Sequence, residues 1–148
     1  MYTPAATFRR TPAERADQQL AWDRSDQAFF AAGACHILAW AFAANRPTFQ
    51  IVALRKVGEK HPSHVIATNG IWAFDHDGWT LESELMAMTA GFEPSTPWER
   101  FVVTEDLTTF CQNHDHRPPH LYAEDPRPRA VAYIATFPPT PLWSPQPQ

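Results

Sequence analysis

The longest apolar run of the chain lies in its first third. From Cys35 to Ala44 nearly every position is apolar or a good helix former, so no face is left for water. A helix that is apolar all round belongs in the interior of a protein. Asn45 and Pro47 follow the run, and both residue types favour the end of a helix. The pattern therefore predicts a buried central helix that begins at Cys35, after a small-residue turn at Gly33-Ala34.

A second apolar stretch predicts a β-hairpin. The runs His64–Thr68 and Ile71–Asp75 flank the dipeptide Asn69-Gly70, which is the strongest short-range hairpin signal. A two-residue turn at this dipeptide makes His64 face Asp75 across the hairpin. Directly opposed residues share a face of the sheet, close enough for a carboxylate to accept a hydrogen bond from an imidazole.

Further elements follow from periodicity and capping signals. They are a short helix from the capping box Thr11–Glu14 to about Trp22, a strand over Thr48–Val57, a helix over Leu81–Ala90, a short strand over Phe101–Val103, a helix over Thr104–Asn113 and an inner strand over Arg129–Phe137. Residues 1–10 show no periodic pattern and are expected to form a flexible arm. Residues 138–148 are rich in proline and are expected to form an extended tail, with Leu142 and Trp143 docked on the domain.

These elements predict one α+β domain over residues 1–148. In it the central N-terminal helix carrying Cys35 packs on an antiparallel sheet of about four or five strands. The chain has 148 residues, of which 44% are hydrophobic, and this is enough material for one well-buried core.

Charge and cysteine content narrow the classes of function. The formal net charge is −4 and no run of lysine or arginine occurs, which argues against nucleic acid as a partner. The longest apolar run is far too short to cross a membrane. Two cysteines do not make a disulfide framework, and the N-terminus has no apolar stretch typical of a signal peptide. We therefore expect a cytoplasmic protein, although an effector exported by another route would have the same pattern. The oligomeric state stays open.

Cys35 is the candidate nucleophile. At the first turn of a helix, unsatisfied backbone N–H groups and the helix dipole favour a thiolate over a thiol. The plainer interpretation is a small core cysteine, because free cysteine is among the most buried residue types. His64 and Asp75 supply the other two roles of nucleophilic catalysis, a base and a group that orients the base. An oxyanion would be held by the Cys35 N–H and a second donor, for which Gln27 is the candidate, and Asp77 is the reserve orienting group.

Three short segments carry a resemblance to a known family. They are Gly33-Ala34-Cys35-His36 at the start of the helix, His64 at the start of a strand and Trp72-Ala73-Phe74-Asp75 on the next strand. In this order they resemble the papain-like thiol hydrolase superfamily, in the compact bacterial form of NlpC/P60-type amidases. The resemblance covers about Phe29–Met86.

The resemblance implies a papain-like domain in which a helix packs on an antiparallel sheet. It also implies hydrolysis or transfer of an acyl group at a peptide, isopeptide or amide bond of a peptide or protein-derived substrate. By position, Cys35 would be the nucleophile, His64 the general base and acid, and Asp75 the orienting group. No cofactor and no metal is expected.

Two other interpretations stay open. A relative could keep this fold as a non-catalytic binding or immunity-type interaction module. Alternatively, His114, His116 and His120 could bind zinc on an irregular loop, although the flanking prolines and the lack of a partnered cysteine favour a solvated loop. His36 is expected to cap or pack, and Cys111 to have a structural role.

Overall fold

The structure is a computed structural model that describes residues 1–92 and 94–141. The predicted docking of Leu142 and Trp143 lies outside the described residues.

A five-stranded antiparallel sheet has the strand order β4-β3-β2-β1-β5. Its strands are β1 Gln50–Lys56, β2 His64–Thr68, β3 Trp72–Asp75, β4 Gly78–Leu81 and β5 Trp98–Val103. The helices are α1 Pro12–Ala16, α2 Gln18–Trp22, α3 Asp26–Ala31, α4 Cys35–Ala43, α5 Glu82–Phe92, α6 Leu107–His114 and α7 Pro126–Ile134, with short 3-10 turns at Ala5–Phe8 and Pro119–Leu121. This confirms the predicted α+β class.

The predicted central helix is α4, and it packs between the sheet and α7. Most of its side chains are buried, as its apolar sequence requires. Phe42 on α4 stacks on Phe74 of β3, with ring centroids 4.2 Å apart. This contact fixes α4 against the strand that ends at Asp75.

The hairpin of β2 and β3 is present, but its predicted register was wrong by two residues. Ala67 pairs with Phe74 and Thr68 with Ala73, because the turn is centred on Gly70 and the residue after it. Gly70 has a φ of 94°, which suits the first central position of a type II′ turn. A shift of two residues preserves the alternation of faces, so His64 and Asp75 still lie on the same face, in diagonal rather than direct opposition.

Two elements of the second half differ from the sequence-based expectation. The strand predicted over Arg129–Phe137 is instead helix α7, because Asp125 caps its first turn and Pro126 occupies its first position. Ala130 of α7 is fully buried in the core shared with α4. Strand β4 was not expected at all; Gly78, with a φ of 79°, turns the chain back so that β4 pairs with β3.

The N-terminal segment also differs from the expectation of a flexible arm. Tyr2 is only 3% exposed and lies on the sheet face opposite α4, in a cluster with Ile66, Ala73 and Leu85. Its burial brings the first residues of the chain to the same face as His64 and Asp75. Among the described residues, no helix has both the length and the apolar character needed to cross a membrane.

The packing of α4 on β3 predicts the effect of a core substitution. Phe42→Ala removes a fully buried ring and should lower the free energy of unfolding by about 3–5 kcal/mol, measured by urea denaturation. Val131→Ala on the exposed side of α7, where the valine is 61% exposed, is the control and should change it by less than about 0.5 kcal/mol. Equal effects of the two substitutions would contradict the packing described for α4.

Candidate active site

Cys35 lies at the first position of α4, and the start of this helix carries no capping side chain. Ala34, the N-cap residue, provides no side-chain hydrogen bond, so the first N–H groups of α4 are available to another acceptor. Cys35 is only 6% exposed, yet it lines a cleft of about 530 Å³ together with Arg10, His116 and Arg117. The residue is therefore buried at its back and open to a cleft at one side.

His64 and Asp75 form the hydrogen-bonded pair that the hairpin predicted. His64 Nε2 lies 2.8 Å from Asp75 Oδ2, and both side chains are almost completely buried. Because a carboxylate only accepts, Nε2 carries the proton and donates it. His64 Nδ1 is buried without a hydrogen-bond partner among the described residues, and it is the ring nitrogen left for the Cys35 thiol.

Asp75 is held by more donors than the sequence indicated. The Tyr2 hydroxyl donates to its Oδ2 at 2.6 Å, and the backbone N–H of Asp77 donates to its Oδ1 at 2.9 Å. His76 Nδ1 lies 3.3 Å from Oδ2. Burial raises the pKa of Asp75, but His76 and His64 outweigh it, so the pKa lies well below its usual range. The carboxylate is therefore ionised and fixed in orientation. Sequence reasoning missed Tyr2 and His76.

Three imidazoles surround the Cys35 thiol. Burial raises the pKa of the thiol, but the neighbouring imidazoles of His116, His36 and His64 more than offset it, and the pKa lies well below its ordinary value. The pKa of His64 is lowered by burial and raised more strongly by Asp75 and Cys35, to about 10. The preferred state of the pair is thus a thiolate beside an imidazolium, which is the reactive form of a cysteine nucleophile.

His36 and His116 form a second group with Cys35. One donor atom from each of the three residues lies within 4.8 Å of the others. His36 was expected to cap or pack, and its adjacency to Cys35 was the only sequence signal. The sequence had marked His116 only as part of a loop zinc site, and no local signal places it beside Cys35, because the loop after α6 approaches Cys35 only in the folded chain. A further group with the same proximity consists of His64, Asp75 and His76.

Two of the predicted site residues have other partners. Gln27 Nε2 donates to Asp77 Oδ1 at 2.9 Å, so its amide is not directed to an oxyanion at Cys35. Asp77 also accepts the backbone N–H of Thr3 at 2.7 Å, and it does not orient His64. The assignments of Gln27 as an oxyanion donor and of Asp77 as a reserve orienting group are corrected accordingly.

The loop cluster of three histidines that the sequence left as an alternative zinc site does not form a metal-like group among the described residues. His116 turns toward Cys35, whereas His120 is exposed on the turn that follows, and neither His114 nor His120 joins a metal-like group of the described residues. Comparison with models of protein families, with curated proteins and with solved structures finds no match to this chain.

The surroundings of the two cysteines predict different reactivity. Burial raises the pKa of Cys111 to about 11, so near neutral pH only about one molecule in ten thousand carries its thiolate. Iodoacetamide at neutral pH should therefore label Cys35 and leave Cys111 unmodified in the folded protein. Peptide mass spectrometry after labelling measures both sites. Preferential labelling of Cys111 would contradict the environment described for Cys35.

Proposed function

We propose that this protein is a cysteine-dependent hydrolase or acyltransferase that acts on a peptide, isopeptide or amide bond through a thioester on Cys35. The observation that carries the proposal is the buried His64–Asp75 hydrogen bond beside a thiol that opens to a cleft. The resemblance of the same three residues to the papain-like superfamily supports the same roles.

The reaction follows from these positions. Cys35 Sγ attacks the carbonyl carbon of the substrate, and the electron pair of the C=O bond moves to its oxygen. When the intermediate collapses, the C–N bond breaks and His64 Nδ1 gives its proton to the departing nitrogen. The acyl group stays on Cys35 as a thioester. His64 then takes a proton from water in hydrolysis, or from an acceptor amine in transfer, as that nucleophile attacks the thioester. Collapse of the second intermediate breaks the C–S bond, releases the acyl product and returns Cys35 as the thiolate.

Asp75 serves this reaction through His64. Its carboxylate keeps the proton on Nε2, so the nitrogen that faces Cys35 is the one that gains and loses the reacting proton. The oxyanion of the intermediate would be stabilised by the free N–H of Cys35 at the start of α4 and by the dipole of that helix.

The cleft favours an acyl donor that carries a negative charge. Its lining presents Arg10 and Arg117 against one carboxylate, Asp115, among the described residues. Arg10 is half-buried and forms no hydrogen bond or salt bridge with any residue that the structure describes, and its pKa is lowered by burial and by Arg117. A guanidinium in this position is suited to a substrate carboxylate.

The proposal includes a cytoplasmic location for the protein. Both cysteines are free and buried, which is in keeping with a reducing compartment such as the cytoplasm. The substrate is a peptide or protein-derived amide. A non-catalytic interaction module on the same fold is the alternative, and it requires no chemical reactivity of Cys35.

The role of His64 predicts how Cys35 reacts in variants. In buffer with a chelator, His64→Ala should slow iodoacetamide labelling of Cys35 by about tenfold or more, because the thiolate loses its imidazolium partner. Asp75→Asn should also slow the labelling of Cys35, but by a smaller factor. His120→Ala, at an exposed histidine outside the site, is the matched control and should leave the rate unchanged. Circular dichroism checks that each variant is folded.

If His64→Ala leaves the labelling rate of Cys35 unchanged, His64 does not act as the base of the site. The catalytic proposal would then fail, and the binding module would take its place. A thiol that cannot be labelled in the folded protein would make Cys35 a core residue.

The role of Arg10 predicts a charge preference. Two activated esters with the same nitrophenol leaving group, one with a neutral acetyl group and one with an anionic succinyl group, provide the comparison. Arg10→Gln should lower the succinyl-to-acetyl ratio of kcat/KM by about tenfold, which corresponds to one charge-assisted hydrogen bond. Arg127→Gln, whose arginine pairs with Asp125 at the surface, should leave the ratio unchanged. An unchanged ratio in the Arg10 variant would contradict the assignment.

A further inference from the structure

The two histidines beside Cys35 have fixed proton positions. His36 Nε2 lies 2.8 Å from the carbonyl oxygen of Arg117, and His116 Nδ1 lies 2.8 Å from that of His114. A carbonyl only accepts, so each of these nitrogens must donate a proton. In the neutral imidazoles, the lone pairs are therefore on His36 Nδ1 and His116 Nε2.

The lone pair of His36 is not satisfied by any residue that the structure describes. His36 is 1% exposed, and its Nδ1 is buried without any hydrogen-bond partner in the described structure. His116 and His64 also interact with Cys35. One thiol proton can satisfy only one of three imidazoles, and a thiolate satisfies none of the lone pairs. A buried polar atom without a partner needs an explanation, such as a ligand that it binds.

A metal ion accounts for this arrangement better than a proton does. One ligand atom from each of Cys35, His36 and His116 lies within 4.8 Å of the other two. The atoms with free lone pairs are Cys35 Sγ, His36 Nδ1 and His116 Nε2. One sulfur with two imidazole nitrogens is a ligand set that zinc prefers. Each histidine gives its second N–H to a backbone carbonyl, which is the usual outer-shell support of a metal-ligating histidine.

We propose that Cys35, His36 and His116 bind a zinc ion, with a fourth coordination position open to the cleft. The position faces a lining that includes Arg10 and Ser63, so water or an anionic ligand can complete the tetrahedron. Binding requires Cys35 as thiolate, and its proton is released to solvent. This site includes His116 but not His120. It therefore differs from the loop site of His114, His116 and His120 that the sequence left open.

Occupation by zinc has a consequence for the chemistry at Cys35. The sulfur electron pair that would attack a carbonyl carbon is bound to the metal, so zinc inhibits alkylation and acyl transfer at this residue. The metal site itself stands on its ligand geometry, and only this inhibition rests on the proposed function. Removal of zinc by a chelator restores the free thiolate.

The test uses the full chain after treatment with a chelator and dialysis. Titration with Zn²⁺ in a calorimeter should give one equivalent bound. Titration with Co²⁺ should produce the near-ultraviolet absorption of a thiolate–cobalt bond and the visible bands of tetrahedral cobalt. One equivalent of Zn²⁺ should also abolish iodoacetamide labelling of Cys35.

Matched variants separate this site from its rivals. His116→Gln, at a partly exposed position, should weaken zinc binding by roughly a hundredfold or more, and His36→Gln should do the same if it folds. His120→Ala and His64→Ala should retain the metal, because neither residue is a proposed ligand. Absence of binding by the parent protein, or binding that survives His116→Gln, would overturn the proposal. Loss of binding in His120→Ala would also overturn it and would move the site to the loop.

The same variants distinguish the two proposals. If His64→Ala leaves labelling of Cys35 unchanged but zinc still binds, the catalytic role fails and the metal site stands. If zinc does not bind but labelling depends on His64, the metal site fails and the proposed function stands.

Discussion

A carboxylate that is removed from water must be surrounded by hydrogen-bond donors, and in this fold that constraint acts at Asp75. Its side chain is almost fully buried and accepts hydrogen bonds from Tyr2, His64 and the N–H of Asp77. These donors come from the N-terminus, from β2 and from the turn after β3. Without them the buried charge would cost roughly several kcal/mol, and the carboxylate would take up a proton instead. The carboxylate therefore ties three separated segments together and keeps His64 oriented.

The surroundings of Cys35 combine two kinds of chemistry. The imidazole of His64, supported by Asp75, is placed to exchange a proton with the thiol. The imidazoles of His36 and His116 present lone pairs to the same sulfur and are held in that state by backbone carbonyls. The first arrangement is the basis of the proposed nucleophile, and the second offers the ligand set of the proposed metal site. Because both proposals use the same thiolate, each makes the reactivity of Cys35 depend on metal occupancy.

Local signals predicted the elements that place Cys35, His64 and Asp75. The apolar run after Cys35 and the glycine turn of the hairpin are both written in consecutive residues, and a register error of two left the faces intact. The capping box at Thr11 was confirmed in full. Helix α7 was mistaken for a strand because RAVAYIATF is apolar and β-branched, while the deciding signal, Asp125-Pro126, lies just before it.

The remaining contacts of the site depend on tertiary structure. Tyr2 and Asp75 are separated by 73 positions in the chain, and His36 meets the carbonyl of a residue 81 positions away. Neither contact leaves a periodic pattern in the sequence. Gln27 was assigned from its distance along the chain, whereas its amide is taken by Asp77.

The proposed thioester on Cys35 is tested most directly by detection of the acyl-enzyme. The metal-free protein is mixed with p-nitrophenyl acetate, quenched in acid at short times and analysed by intact and peptide mass spectrometry. We expect one acetyl group on Cys35 that hydroxylamine removes. It should be absent in Cys35→Ala and should form at least about 100-fold more slowly in His64→Ala. An acetyl group that forms on other residues at the same rate in all three proteins, with none on Cys35, would contradict it.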